Sequence, residues 1–292
     1  MLSPQPSLFE ELDPPTPPES LGVVTIGLRP GSKVLSVAKG IIAGAFDYSL
    51  NPYIGCGFAC SYCYAANFVA DERKKTDWGK WVDIKIDAAE QIARANLCGK
   101  RIFMSSATDP YQPLEQRVEL TRRILEVLVP QQPILSVQTR SPIVSRDIDL
   151  LSRLEQVRVN MSITTDSDEI RKRFEPSCAS IDRRFEALEQ VSAAGIPVNV
   201  CISPMLPIEN PRRFADRILA LNPSRVYAGF FHSNGRQFAA ATRPDAYPLM
   251  REFDWTRERY LSTLRELCAY LPMLKPWDRD EVPARRPIRL SA

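Results

Sequence analysis

Residues 51–64 read Asn-Pro-Tyr-Ile-Gly-Cys-Gly-Phe-Ala-Cys-Ser-Tyr-Cys-Tyr and place Cys56, Cys60 and Cys63 in a C-x3-C-x2-C spacing. A cubane iron–sulfur cluster ordinarily takes four thiolates, so three packed into one short glycine-containing loop leave one iron without a protein ligand. Chemistry can take place at such an iron. Two other readings of the thiols have to be set against this one. Structural zinc takes four tetrahedral ligands, usually from two paired knuckles, yet no second C-x2-C is found and the only histidine, His232, lies far along the chain. A cluster that only carries electrons calls for a fourth cysteine, whereas Cys98, Cys178, Cys201 and Cys268 are scattered without motif spacing.

Composition agrees with an intracellular enzyme. The chain of 292 residues is 44% hydrophobic and 25% charged, enough to bury the core of one large domain with small appendages. Its seven cysteines, an odd number, form no disulfide framework, which points to a reducing compartment. No apolar run approaches membrane-spanning length, and the opening Met-Leu-Ser-Pro-Gln-Pro has neither the basic nor the apolar region of a signal peptide. The expectation is a soluble cytoplasmic protein with no membrane contact. A net charge of +3 selects no partner by itself. Just after the cysteine loop, Arg73, Lys74, Lys75, Trp78, Lys80 and Trp81 mix cations with aromatics, as a strand-binding surface would. The alternative, and the expectation adopted, is a solvated connection whose tryptophans pack on the barrel.

Four segments follow from the pattern along the chain. Residues 1–21 hold six prolines among acidic residues, a composition that builds no packed core and reads as a disordered arm. Residues 22–45 form a lead-in broken by Pro30, Gly31, Gly40 and Gly44. From 46 to 238 short β-prone runs alternate with helical periodicity, which implies repeated βα units and a parallel sheet. The runs Arg101–Ser105, Ile134–Gln138, Val157–Ile163, Ile196–Ile202 and Arg225–Phe231 are mostly apolar and β-branched, as strands covered on both faces are. With one strand before Cys56 they make six. Ile148, Leu151 and Leu154, then Phe185 and Leu188, then Phe214, Ile218 and Leu221, mark helix faces between them. Residues 239–292 supply a last helix with Tyr260, Leu264 and Leu267 on one face, then a basic tail with Arg285, Arg286 and Arg289.

The cysteine spacing, with the aromatic Tyr62 directly before the third cysteine, resembles the radical S-adenosylmethionine (SAM) superfamily. Five further motifs narrow the resemblance: Asn-Pro-Tyr-x-Gly-Cys with Cys-x-Tyr-Cys-Tyr-Ala, Thr-Asp-Pro-Tyr-Gln-Pro at 108–113, Arg-Asp-x-Asp-Leu-Leu at 146–151, Phe-Glu-Pro at 174–176 and Ile-Ser-Pro-Met-Leu-Pro at 202–207. Together, over about residues 46–232, they look like the spore photoproduct lyase-like branch of that superfamily. The resemblance implies an open, partial (β/α)6 TIM-type barrel with N- and C-terminal extensions. It also implies a [4Fe-4S] cluster held by Cys56, Cys60 and Cys63, SAM as second cofactor, and a reducing partner of flavodoxin or ferredoxin type. The activity implied is reductive SAM cleavage to a 5′-deoxyadenosyl radical that takes hydrogen from a substrate, with nucleic acid favoured over a peptide or small metabolite.

Residue roles carry over in the same way. Tyr62 belongs beside the adenine of SAM. Ser105, Ser106 and Thr108, at the end of the second strand where such barrels gather reactive groups, are placed at its amino group, or else form a helix entry capped by Asp109. Arg140 and Ser162 fall where the family puts a basic residue and a serine near SAM's carboxylate and ribose. Arg140 would otherwise pair with Asp147 or Asp149 on the surface. The photoproduct lyase uses a cysteine at the end of strand two, where this chain has Ser106 and Ala107, so photoproduct repair itself is not expected. Cys178, Cys201 and His232 are the candidate catalytic side chains, with Asn234 and Arg236 near the last, while Glu175 and Asp166 stand at the strand-four mouth without an assigned role.

Overall fold

The computed structural model describes residues 17–232 and 241–276. Most of the proline-rich arm, Asn234, Arg236 and the basic tail lie outside the described residues. Among the described residues twelve strands run in chain order: β1 Ser20–Leu21, β2 Val24–Leu28, β3 Leu35–Val37, β4 Tyr48–Leu50, β5 Tyr53–Gly55, β6 Trp81–Ile84, β7 Arg101–Met104, β8 Ile134–Thr139, β9 Val157–Ser162, β10 Val198–Ile202, β11 Arg225–Ala228 and β12 Leu274–Pro276. Eight of them form one sheet in the order β12-β11-β10-β9-β8-β7-β4-β3. All its pairings are parallel except that of β3 with β4. The six expected strands are β4 and β7 to β11. They stand side by side in chain order, as successive right-handed βα units place them. The ends of the sheet, β3 and β12, do not pair with each other, so the barrel is open. A C-terminal seventh parallel strand, β12, was not legible in three residues of sequence.

The two faces of this sheet differ, against the expectation of apolar cover on both. Val137, Val159, Met161, Val200 and Ile202 are buried in the main core. The alternate residues Ser136, Gln138, Asn160, Ser162, Asn199 and Cys201 hydrogen-bond to one another across the strands. Side chains of successive strand residues point to opposite faces, so the barrel has an apolar outer and a polar inner surface. The inner face is ready to receive polar ligands.

Helices cover the outer face. The helix Ile181–Ala193 buries Ile181, Phe185, Leu188 and Val191, and Pro211–Ala220 buries Phe214 and Ile218. Arg257–Tyr270 buries Tyr260, Leu264 and Leu267. Their starts are set by side chains that accept the first free N–H groups: Ser180 from Arg183, Asn210 from Arg213 and Thr256 from Arg259. The stripe at Ile148, Leu151 and Leu154 is shorter than its periodicity suggests. Pro142–Asp147 winds as a 3-10 turn, leaving a four-residue helix, Ile148–Leu151.

A second sheet, in the order β1-β2-β6-β5, was not read from the sequence. It draws β1 and β2 from the N-terminal segment and β6 from the stretch taken as a solvated connection. Its strands have two to five residues, too short to show a period. Trp78 and Trp81 are buried beside it with rings 6.1 Å apart, edge to face. The expectation that they pack rather than stack on a partner holds. The neighbouring cations are mostly paired: Lys74 with Asp83, Lys75 with Glu72 and Lys80 with Asp77.

Candidate active site at the cysteine loop

The chain leaves the large sheet at Leu50, enters the small one at Tyr53 and turns out of it at Gly55 into the cysteine loop. Gly55 has φ +81°, and a Cβ there would stand 2.8 Å from the ring and carbonyl oxygen of Trp81. Only glycine fits such a place. The segment after β7 holds the loop from one side. Gln112 Oε1 accepts the Gly57 N–H at 2.7 Å, the Thr108 hydroxyl donates to Gly55 O at 2.6 Å, and the Tyr64 hydroxyl donates to Ser106 O at 2.7 Å. The segment after β9 holds it from the other, through Phe174 O, which accepts the Ser61 N–H at 2.9 Å.

Cys56 and Cys60 are buried and Cys63 is partly so. Burial first, and then neighbouring negative charge including the other two cysteines, pushes the Cys56 thiol well up; burial and Cys60 push Cys63 up to about 11. Cys60 differs, because its sulfur lies 3.9 Å from that of Cys178, which lowers it, with Arg140 also in reach. Among the described residues no three Cys, His, Asp or Glu side chains already converge as a metal site. The donor set nevertheless suits an iron–sulfur cluster. Three soft sulfurs sit on one loop in a water-poor pocket, and the cations Arg140 and Arg243 act electrostatically on Cys63, where they offset thiolate charge.

The expected SAM-pocket residues are brought to this same end of the sheet. Ser105 Oγ donates to Leu50 O at 3.3 Å and is buried, whereas Ser106, Ala107 and Thr108 are half-buried. Ser49 and Ser106 hydroxyls share a hydrogen bond of 2.6 Å, and Asn51 Oδ1 accepts the N–H groups of Ser106 and Ala107. Asn51, just past the end of β4, thus fixes the segment that follows β7. Asp109 caps the turn by accepting the Tyr111 N–H, and also accepts from the Thr139 hydroxyl and the Arg140 N–H. Ser162 Oγ accepts from Gln138 Nε2 at 3.0 Å, and Gln138 Oε1 accepts from the Cys201 thiol at 3.6 Å. Gln138 was missed, although the alternation Leu135-Ser-Val-Gln-Thr139 marks it as inward-facing.

Arg140 does not pair with Asp147 or Asp149. Those carboxylates are taken by Arg122, at 3.0 and 2.8 Å, one helix earlier. Arg140 instead donates to Glu175 Oε1 at 2.8 Å and to the Tyr62 hydroxyl at 2.5 Å, over whose ring it lies at 5.5 Å. Tyr62 is buried edge-on to Phe231. Asp166, in the segment after β9, accepts the N–H groups of Glu209 and Asn210 in the segment after β10. His232 is exposed at the rim, with its ring edge-on to Tyr64 at 5.7 Å. Of the three candidate catalytic side chains, Cys178 therefore adjoins the cysteine loop, Cys201 faces the barrel interior and His232 edges the entrance.

The family model described as the radical SAM superfamily matches residues 50–221, more than half of the chain. An uncharacterised protein of Methanocaldococcus jannaschii is 37% identical over 57% of this chain and 62% of its own length. An uncharacterised protein of Acidianus two-tailed virus is 33% identical over 55% and 56%. The chain thus spans between half and two thirds of the length of these relatives. A radical SAM Nα-GlyT isomerase of Pseudomonas phage M6 is 23% identical over 61% of this chain and 38% of that protein. Among solved structures, spore photoproduct lyase complexed with a dinucleoside spore photoproduct superposes with a TM-score of 0.57 over 87% of this chain and 81% of that one, at 15% identity. At that identity the likeness is one of fold. A variant of the same lyase with bound AdoMet gives 0.56.

Proposed function

The chain belongs to the radical SAM superfamily, whose members use a [4Fe-4S] cluster, SAM and a reductant, and from that premise we propose that it binds the cluster through Cys56, Cys60 and Cys63 and uses it with SAM to take hydrogen from a nucleic-acid substrate. The observation that carries this reading is three thiols on one buried loop, at the end of a parallel sheet, with Arg140 and Arg243 within electrostatic reach. Bound together, cluster and SAM supply a 5′-deoxyadenosyl radical able to attack an unactivated C–H bond.

The chain's own residues bind, orient and keep out water. Tyr62, Phe174 and Phe231 form an apolar wall beside the loop. Ser105, Ser106 and Thr108 give the end of β7 hydroxyl and carbonyl groups for the SAM amino group. Arg140 would offer a guanidinium to its carboxylate, and Ser162, which accepts a hydrogen bond from Gln138, would serve its ribose. Cys178 and Cys201 hold thiol hydrogens close to the interior, and His232 can exchange a proton at the rim. A flavodoxin or ferredoxin is the reductant we assign.

For the substrate, support comes from the fold shared with an enzyme whose structure holds a dinucleoside photoproduct. Ser106 and Ala107 occupy the end of the second barrel strand, so we assign a lyase-like reaction on nucleic acid other than photoproduct repair. The test is 5′-deoxyadenosine formation by anaerobically reconstituted protein with SAM and dithionite, with iron and sulfide counted, followed by DNA and RNA oligonucleotides, peptides and nucleosides. Product with about four irons per chain, accelerated by an oligonucleotide, supports the proposal. A loaded cluster that never cleaves SAM would overturn the chemistry, and acceleration by a peptide alone would overturn the substrate.

A further inference from the structure

Glu175 is fully buried and collects hydrogen bonds from four separate parts of the chain. The Tyr62 hydroxyl of the cysteine loop donates to it, as do Arg140 Nη1 after β8, the Thr164 hydroxyl after β9 at 2.8 Å, and Arg184 Nη2 from the helix Ile181–Ala193. Tyr62 stands between the second and third cysteines. One carboxylate thus grips the loop from behind, at a distance of 113 residues along the chain. Arg184 is itself fully buried and braced by the carbonyls of Ser162 and Ala179, so the frame around Glu175 is rigid on the side away from the cysteines.

The charges in this frame do not cancel. Two guanidinium groups share one carboxylate, which leaves one positive charge in a poorly solvated place, and such a charge is costly unless something offsets it. The pull of both arginines keeps Glu175 ionised, its carboxyl held down near 2. Arg140 meets Glu175 and Tyr62 through Nη1 alone, and among the described residues no acceptor is found for its Nε or Nη2. Its side chain is 17% exposed, and Cys60 is near enough to act on its charge.

We infer that Glu175 is a positioning residue: it fixes Tyr62 and Arg140 together, so that the cysteine loop and the cation that receives an anionic group beside it keep one relative geometry. The inference rests on the radical SAM reading above, with the SAM carboxylate as the anion. Glu175 acts through the residues it holds.

The test uses Glu175→Gln, which keeps shape and removes the charge, and Tyr62→Phe, which removes the loop's hydrogen bonds to that carboxylate and to Arg140. Reconstituted holoprotein, reduced with dithionite, is titrated with SAM while its EPR spectrum is followed, and iron is counted in the same samples. Both variants should load iron as the wild type does but need about tenfold more SAM to reach half of the spectral change, the effect of a lost charge-assisted contact. A role limited to stability would lower the thermal midpoint of the apoprotein and leave the SAM titration unmoved, and that result in both variants would overturn the inference. Should Glu175→Gln fail to fold, Tyr62→Phe decides alone, an unchanged titration overturning it. A wild type without any SAM-dependent signal would overturn the function itself, an outcome distinct from a wild-type response that both variants share.

Discussion

Gly79 meets Ala59 so closely that a Cβ on the glycine would stand 2.3 Å from that of the alanine. Ala59, between the first two cysteines, is itself left-handed at φ 54°, and the missing side chain of Gly79 makes the room in which it sits. The loop's shape is therefore set partly by a residue 20 positions downstream.

Gly79→Ala and Gly55→Ala should each destabilise the protein by more than about 1 kcal/mol, because strain from positive φ adds to the clash, and both should lower iron loading. Gly44→Ala and Gly99→Ala, also at positive φ but with no atom within 4 Å, should lose stability from strain alone and load iron normally. Urea unfolding and iron counts on the four variants check this. Equal iron loading in all four would detach the loop geometry from these glycines.

Cys63→Ser should reduce iron from about four per chain to near none and abolish 5′-deoxyadenosine formation. Cys98→Ser, at an exposed thiol, should change neither. Iron retained in Cys63→Ser would remove that cysteine from the ligand set.

Trp81 is buried, donates its indole N–H to Lys74 O at 2.7 Å and lies under the Lys74 ammonium at 4.2 Å. Trp81→Ala should cost about 3 kcal/mol or more, as truncating a buried aromatic does, measured by urea unfolding of the apoprotein. A loss of oligonucleotide affinity without loss of stability would restore the stacking surface that its burial argues against.

Lys85 is buried, with its ammonium donating to Lys33 O at 2.7 Å, and burial holds its pKa down at about 8 from 10.5. Between these two values the unfolded chain binds more protons than the folded one, so this group adds stability as pH rises through the window, and the gain is lost as pH falls through 8. The stability of wild type minus that of Lys85→Met should climb from pH 8 to 10.5 and stay level below 8. A level difference throughout would show the ammonium to be well solvated.

The six barrel strands were legible because a parallel strand leaves a short β-branched run between helical stretches, and Val157–Ser162 and Val198–Ile202 are clear cases. Their inner, polar face was legible too, in the alternation Val-Arg-Val-Asn-Met-Ser, but a count of apolar residues hides it. The small sheet was not, since strands of two to five residues carry no period. At the site, spacing brought out the cysteines, and the family resemblance pointed to Ser105, Ser106, Thr108 and Ser162. Arg140's partner did not emerge from spacing, because Glu175 lies 35 residues away, while the nearby Asp147 and Asp149 are claimed by Arg122. A local pattern cannot show which of several arginines reaches a given carboxylate first.

Between Leu50 and Tyr53 the chain crosses from one sheet to the other, so the segment that enters the cysteine loop is held in both. Strand β4 pairs with β3 close by and with β7 about 50 residues on, and β5 pairs with β6 about 30 residues on. The frame of the thiols is therefore shared between two sheets, and neither sheet alone fixes where the loop begins.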